Sequence, residues 1–144
     1  VRGTVESTMV DQEPAADPDG DSRDSPFHAF RRAEELVRRK PLEALRALAP
    51  VLHAEPDKPS VQLLAGRAYF HSAQLRRAET ALTRTIELDP ADHYARFMLG
   101  RTLQRLGRLV EALGQIRMAW AMYPLPEYQD AVGEISARIA LRDS

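Results

Sequence analysis

The sequence predicts an all-α fold, an α-solenoid of three antiparallel helix hairpins closed by a C-terminal capping helix, and three observations predict it. Residues recur every 34 positions, as Pro56, Pro90 and Pro124, as Ala44, Ala78 and Ala112, and as Leu48, Leu82 and Ile116. Gly66 with Gly100, Arg67 with Arg101, and Ala73 with Gly107 keep the same phase. Within each period the apolar residues step by three and four, which puts them on one face of a helix. Each period also breaks near its middle, and so short a break forces the two helices to run antiparallel.

Residues 1–24 come first and carry seven acids (Glu6, Asp11, Glu13, Asp17, Asp19, Asp21, Asp24) against Arg2 and Arg23, a balance of −5. With a net charge of −1 for the whole chain, the remainder is +4. This stretch has almost no large apolar side chain, so it cannot offset the entropy of ordering and reads as a disordered acidic tail. The chain begins with valine, and Met9 is an alternative start. The helical domain spans 25–142, with repeats at about 25–57, 58–91 and 92–125 and a capping helix at 126–141.

Ser25-Pro26 opens the first repeat with an N-cap and a proline suited to the first helical turn. Its two helices turn at Lys40-Pro41, one residue early relative to the other units. The second repeat runs from Pro59 to Leu88 and turns near Ala73. In the third, Ala95, Leu99, Leu103 and Leu106 give one stripe, and Leu109, Ala112, Leu113, Ile116 and Ala119 another. Asp92 is its N-cap, Gly107 its left-handed turn residue, and Pro124 its stop. Gly100 and Ala112 read as crossing points, because two helices approach to about 8 Å only where side chains are small. Gly114, seven residues beyond Gly107, reads as a further packing or turn glycine. In the last helix Tyr128, Val132, Ile135 and Ile139 form one apolar stripe that covers the exposed end of the stack, with Trp120 beneath it.

The period and residue types resemble the tetratricopeptide repeat (TPR) family, whose 34-residue pattern is W-x2-L-G-x2-Y, then A-x3-F, then P. The second unit matches at Ala65-Gly66, Tyr69, Ala78, Leu82 and Pro90, and the third at Leu99-Gly100, Leu103, Ala112, Ile116 and Pro124. The first fits less closely, at Ala33, Leu36, Ala44, Leu48 and Pro56, and Gln62 and Arg96 stand where the pattern has tryptophan. The resemblance implies that the first helix of each hairpin lines a concave groove. It transfers partner binding to Leu63, Arg67, Phe70 and His71 in the second unit and to Tyr94, Phe97, Arg101, Gln104 and Arg105 in the third. The first unit adds Glu34, Val37 and Arg38. One subclass clamps acidic C-terminal tails with lysines, asparagines and arginine. Here the matching positions are Phe30, Glu34, Leu64, Tyr94 and Met98, so that clamp is absent.

No chemistry of an enzyme is visible. The sequence lacks a phosphate loop and a dinucleotide fingerprint, and His28, His53, His71 and His93 lack the close pairing of helical metal ligands. No cofactor and no metal are expected. With no cysteine, no apolar run long enough for a membrane span and no signal-like start, the expected location is cytoplasmic. The expected role is that of a non-catalytic adaptor or scaffold holding a partner peptide or helix, acidic with an apolar anchor, in the groove. Two alternatives stand beside it. Phe70, Tyr94 and Phe97 among arginines could stack single-stranded RNA, although a balance of +4 is weak for tracking phosphates. The uncovered flank of the first repeat could instead make a homodimer.

Overall fold

Caps and prolines set the helix starts. The Ser25 hydroxyl accepts a hydrogen bond from the His28 amide at 3.1 Å, and Pro26 fills the first turn of α1, Pro26–Leu36. In the computed structural model, which describes residues 25–144, six more helices follow. They are α2 Pro41–Ala54, α3 Pro59–His71, α4 Leu75–Leu88, α5 His93–Arg105, α6 Leu109–Met122 and α7 Pro126–Asp143. The acidic tail expected over residues 1–24 lies outside the described residues. Asp92 caps α5 as the sequence predicts, accepting from the Ala95 amide at 2.9 Å.

The turns follow the period too. Gly107 has φ 82° and its counterpart Ala73 has φ 61°, both in the left-handed region, where an alanine costs about 1 kcal/mol that a glycine does not. Both turns close with the same bond: Gln74 N–H donates to Tyr69 O at 2.8 Å and Arg108 N–H to Leu103 O at 2.9 Å. Helix starts in the first hairpin are 15 residues apart, against 16 in the other two, which accounts for the early turn at Lys40-Pro41.

Small residues sit where helices cross. A Cβ on Gly66 would lie 2.7 Å from Leu82 Cδ2, and one on Gly100 would overlap Ile116 Cγ1 and approach the Ala112 carbonyl to 3.2 Å. Leu82 and Ile116 are themselves fully buried equivalents in the period. Any side chain at Gly66 or Gly100 would therefore push a hairpin apart. Gly114 corrects the expectation made for it: nothing lies within 4 Å of its Cβ position, so it neither packs nor turns.

Each helix packs on the next, and α1 touches α3 as α3 touches α5. The odd-numbered helices therefore lie side by side and form one face, with the even-numbered helices behind them. Two apolar clusters, shared through Tyr69, make a continuous core from Ala29 to Ile139. Helix α7 covers the last hairpin with Tyr128, Ala131 and Ile135. Trp120 is not beneath it: the indole is 36% exposed, because the neighbouring Ala119 takes the buried position and Trp120 lies about 100° further round α6.

Candidate functional site

The odd-numbered helices lie side by side, and the residues expected on the face they share divide into two groups. At the α5–α7 end, Phe97 is 4% exposed because its ring stacks on Tyr128 of α7, with centroids 4.7 Å apart and planes 29° apart. Gln104 is 8% exposed. Its Nε2 donates to Glu134 Oε2 at 3.1 Å, and its Oε1 accepts from Arg101 Nη1 at 2.7 Å. Arg101 completes the triangle with an ion pair to Glu134 at 3.2 Å and lies over the Phe97 ring at 5.4 Å. Those two hydrogen bonds hold the Glu134 carboxyl below its ordinary range. Tyr94 is half-buried beside Phe97, 6.5 Å between ring centroids. Exposure was expected of Phe97 and Gln104 and is corrected: α7 buries both.

The α1–α3–α5 end is different. Arg67 is half-buried, and its Nε is enclosed with no hydrogen-bond partner. Arg105 is exposed, with its guanidinium 4.9 Å from the Phe70 ring centroid and its Nη1 donating to Phe70 O at 3.3 Å. His71, half-buried and edge-on to Phe70, is held below its ordinary pKa by burial and by the charges of Arg38, Arg67 and Arg105. The charges that act on this one imidazole come from α3, α5 and the α1–α2 turn. Among the described residues, no carboxylate lies within 4 Å of any of the three arginines. Leu63 is half-buried against the core. Val37, expected in the groove, is buried instead, and Glu34 pairs with Arg31 at 3.8 Å.

Sequence reasoning did not find Glu134, Tyr128 or His93 as neighbours of this face. His93 Nδ1 and Tyr128 Oη share a hydrogen bond of 2.7 Å, and burial pushes the Tyr128 hydroxyl up to about 12, so the phenol stays neutral. The signal available was the polar side of the capping helix, which carries Glu134 one turn before Arg138. Burial of Phe97 also removes one of the three stacking platforms that an RNA site would use.

Residues 64–125 match the family model described as tetratricopeptide repeat, and the helix pairs, crossings and turns above repeat at its period. Over residues 64–125 the chain is a tetratricopeptide repeat protein. No curated protein sequence matches it. Among solved structures it is similar to the first TPR of Spaghetti (RPAP3) bound to an HSP90 peptide, at 19% identity and TM-score 0.75, covering 82% of this chain and 95% of that one. It is similar to MamA at 18% identity and TM-score 0.77, over 90% of this chain and 76% of that one. It also resembles part of an O-GlcNAc transferase of Thermobaculum terrenum, at 22% identity and TM-score 0.70, covering 76% of this chain and 21% of that one. At these identities the likeness is one of fold. In this TPR chain the two positions where the family pattern has tryptophan share a different device. Gln62 Nε2 donates to Pro56 O at 2.8 Å, and Arg96 Nη2 donates to Pro90 O at 3.3 Å. Each ties a helix back to the proline that closed the preceding repeat.

The TPR fold supports a protein–protein interaction module. The described residues hold no group of three or more His, Asp or Glu placed to bind a metal ion, and no helix among them is long and apolar enough to cross a membrane.

Proposed function

We propose that the α1–α3–α5 half of the concave face binds a short acidic segment of a partner protein carrying an apolar anchor. The observation behind this reading is that the charges of Arg38, Arg67 and Arg105 all act on His71, while no carboxylate of the described chain lies within 4 Å of any of the three. Like charges gathered without counter-charges cost stability, and an incoming carboxylate relieves that cost while it gains charge-assisted hydrogen bonds.

Three exposed charge pairs contribute about 1 to 3 kcal/mol together, and one large apolar side chain seated beside Leu63 and Phe70 adds roughly 1.5 to 3. Charge selects the ligand and the apolar residue holds it. Helix α3 has 13 residues, about 20 Å, which accommodates some six residues of extended peptide. The clamp that grips acidic C-terminal tails in one TPR subclass is missing here, since Leu64 and Met98 are buried. The ligand is therefore an internal acidic stretch rather than a free carboxyl end.

The test is fluorescence anisotropy with a labelled, amide-capped peptide of glutamates around a central leucine and phenylalanine. Binding in the micromolar range that weakens at least tenfold in a variant carrying Arg38→Ala, Arg67→Ala and Arg105→Ala is the expected result. Binding that ignores those three substitutions would overturn the assignment.

A further inference from the structure

The opposite face of the molecule carries its own anomaly. A repeat array is its own control, because equivalent positions of neighbouring units meet similar surroundings. On the outer side of α4 the period places Arg76, Thr80, Arg84 and Glu87, as a solvated helix requires. The equivalents on α6 are Val110, Gly114, Met118 and Ala121. Val110 is 62% and Met118 46% exposed, Ala121 is exposed, and Gly114 has open space where a side chain would be. Beside this strip lies a hollow of about 480 Å³ with Ile86, Leu99, Leu103 and Met118 among its walls and Gly114 at its lip. Glu111 and Arg117 lie on the strip itself, while Glu79 and Glu87 line the hollow beside it and Arg96 reaches the Met118 sulfur at 3.9 Å.

The placement of Glu111 and Arg117 identifies the occupant. Glu111 lies three residues before Gly114 and Arg117 three residues after it; Val110 lies four before and Met118 four after. If two such helices cross antiparallel at Gly114, residue 114 − n of one meets residue 114 + n of the other. Glu111 then faces Arg117 twice, Val110 faces Met118 twice, and the two glycines meet where the axes are closest. This is the self-complementarity that a two-fold interface demands. We infer that the outer face of α6 is a homodimer interface, in which a second copy of this chain packs antiparallel through Gly114. Glu111 already accepts from Arg108 at 2.8 Å but keeps 59% of its side chain exposed, so it can take a second guanidinium. Arg117 has no acid within 4 Å among the described residues. Helix α6 has 14 residues, so the contact is small and belongs with weak, transient interfaces, dissociating on the order of 100 μM.

Sedimentation equilibrium of the full chain, from about 10 μM to about 1 mM, reads the association directly. The wild type shifts from monomer to dimer across that range. Arg117→Glu alone sets four acids against one another and stays monomeric, as does Glu111→Arg alone with four arginines. An equimolar mixture of the two variants restores the dimer, because every arginine then faces a glutamate. Gly114→Leu, which keeps the Arg108 ion pair and improves helix propensity, also stays monomeric, and circular dichroism shows all three variants as helical as the wild type. A wild type that is monomeric throughout, or a mixture no more associated than its components, overturns the inference. So does a dimer indifferent to all three substitutions, which would place the contact elsewhere, such as the first-repeat flank at Phe27. None of these outcomes bears on acidic peptide binding, which uses the other face.

Discussion

Arg67 and Arg101 occupy the same position of successive repeats, on helices of the same length and the same face, and meet opposite fates. Arg101 reaches Glu134 at 3.2 Å and rests above a Phe97 ring that α7 has covered. The charge of Arg67 acts with those of Arg38 and Arg105 on His71, and no carboxylate lies within 4 Å of it among the described residues. The difference lies in the next helix along the groove, not in either residue. For Arg67 that helix is α5, which brings another arginine; for Arg101 it is the capping helix, which brings an acid and a tyrosine. A repeated side chain is a binding group only where the stack leaves it uncovered.

The sharpest way to break the contrast is to remove the cover. Tyr128→Ala takes away the ring under which Phe97 is buried and should cost about 3 to 5 kcal/mol in urea unfolding. Tyr128→Phe, which loses only the bond to His93, should cost roughly 1 kcal/mol. Equal losses would mean that the hydrogen bond, rather than the stacked ring, closes this end of the groove.

Glu134→Ala is gentler. It frees Arg101 and should raise the affinity for the acidic peptide about two- to fivefold, while lowering stability by less than about 1 kcal/mol, since the pair is half-exposed. A fall in affinity would show that Glu134 organises the groove instead of filling it.

The smallest expected effect concerns pH. His71 is lowered from its ordinary 6.5, first by burial and then by Arg38, Arg67 and Arg105. On acidification the unfolded chain takes up that proton before the folded one does. The His71 contribution is therefore complete above about pH 6.5 and is lost as pH falls below it. A bound carboxylate among the same groups raises the pKa, so peptide binding takes up a proton and should strengthen a few-fold between about pH 7.5 and about pH 5.5. His71→Gln should flatten that dependence; an unchanged slope would remove His71 from the site.

What was legible in the sequence was what is settled within one or two hairpins. The Asp92 cap, the Gly107 turn and the Gly100 crossing depend on partners at most sixteen residues away. The helix pairs and their stacking followed from the 34-residue period. The misread positions depend on which neighbour arrives from further along. Phe97 and Gln104 look groove-facing on their own helix and are buried by α7, thirty or more residues later. Val37 shares a groove-facing position in the pattern but closes the first hairpin, whose spacing is shorter. Gly114 looked like a structural glycine because its seven-residue spacing from Gly107 suggested one, and spacing does not report open solvent.

The central claim is that coverage by the next helix, not residue type, decides which arginine binds. It is tested most directly by measuring acidic-peptide affinity for Arg67→Ala and Arg101→Ala side by side, at one salt concentration and pH. A loss of about tenfold or more for Arg67→Ala, with less than about twofold for Arg101→Ala, is the result this account predicts. Equal losses at the two positions, or a larger loss at Arg101, would contradict it.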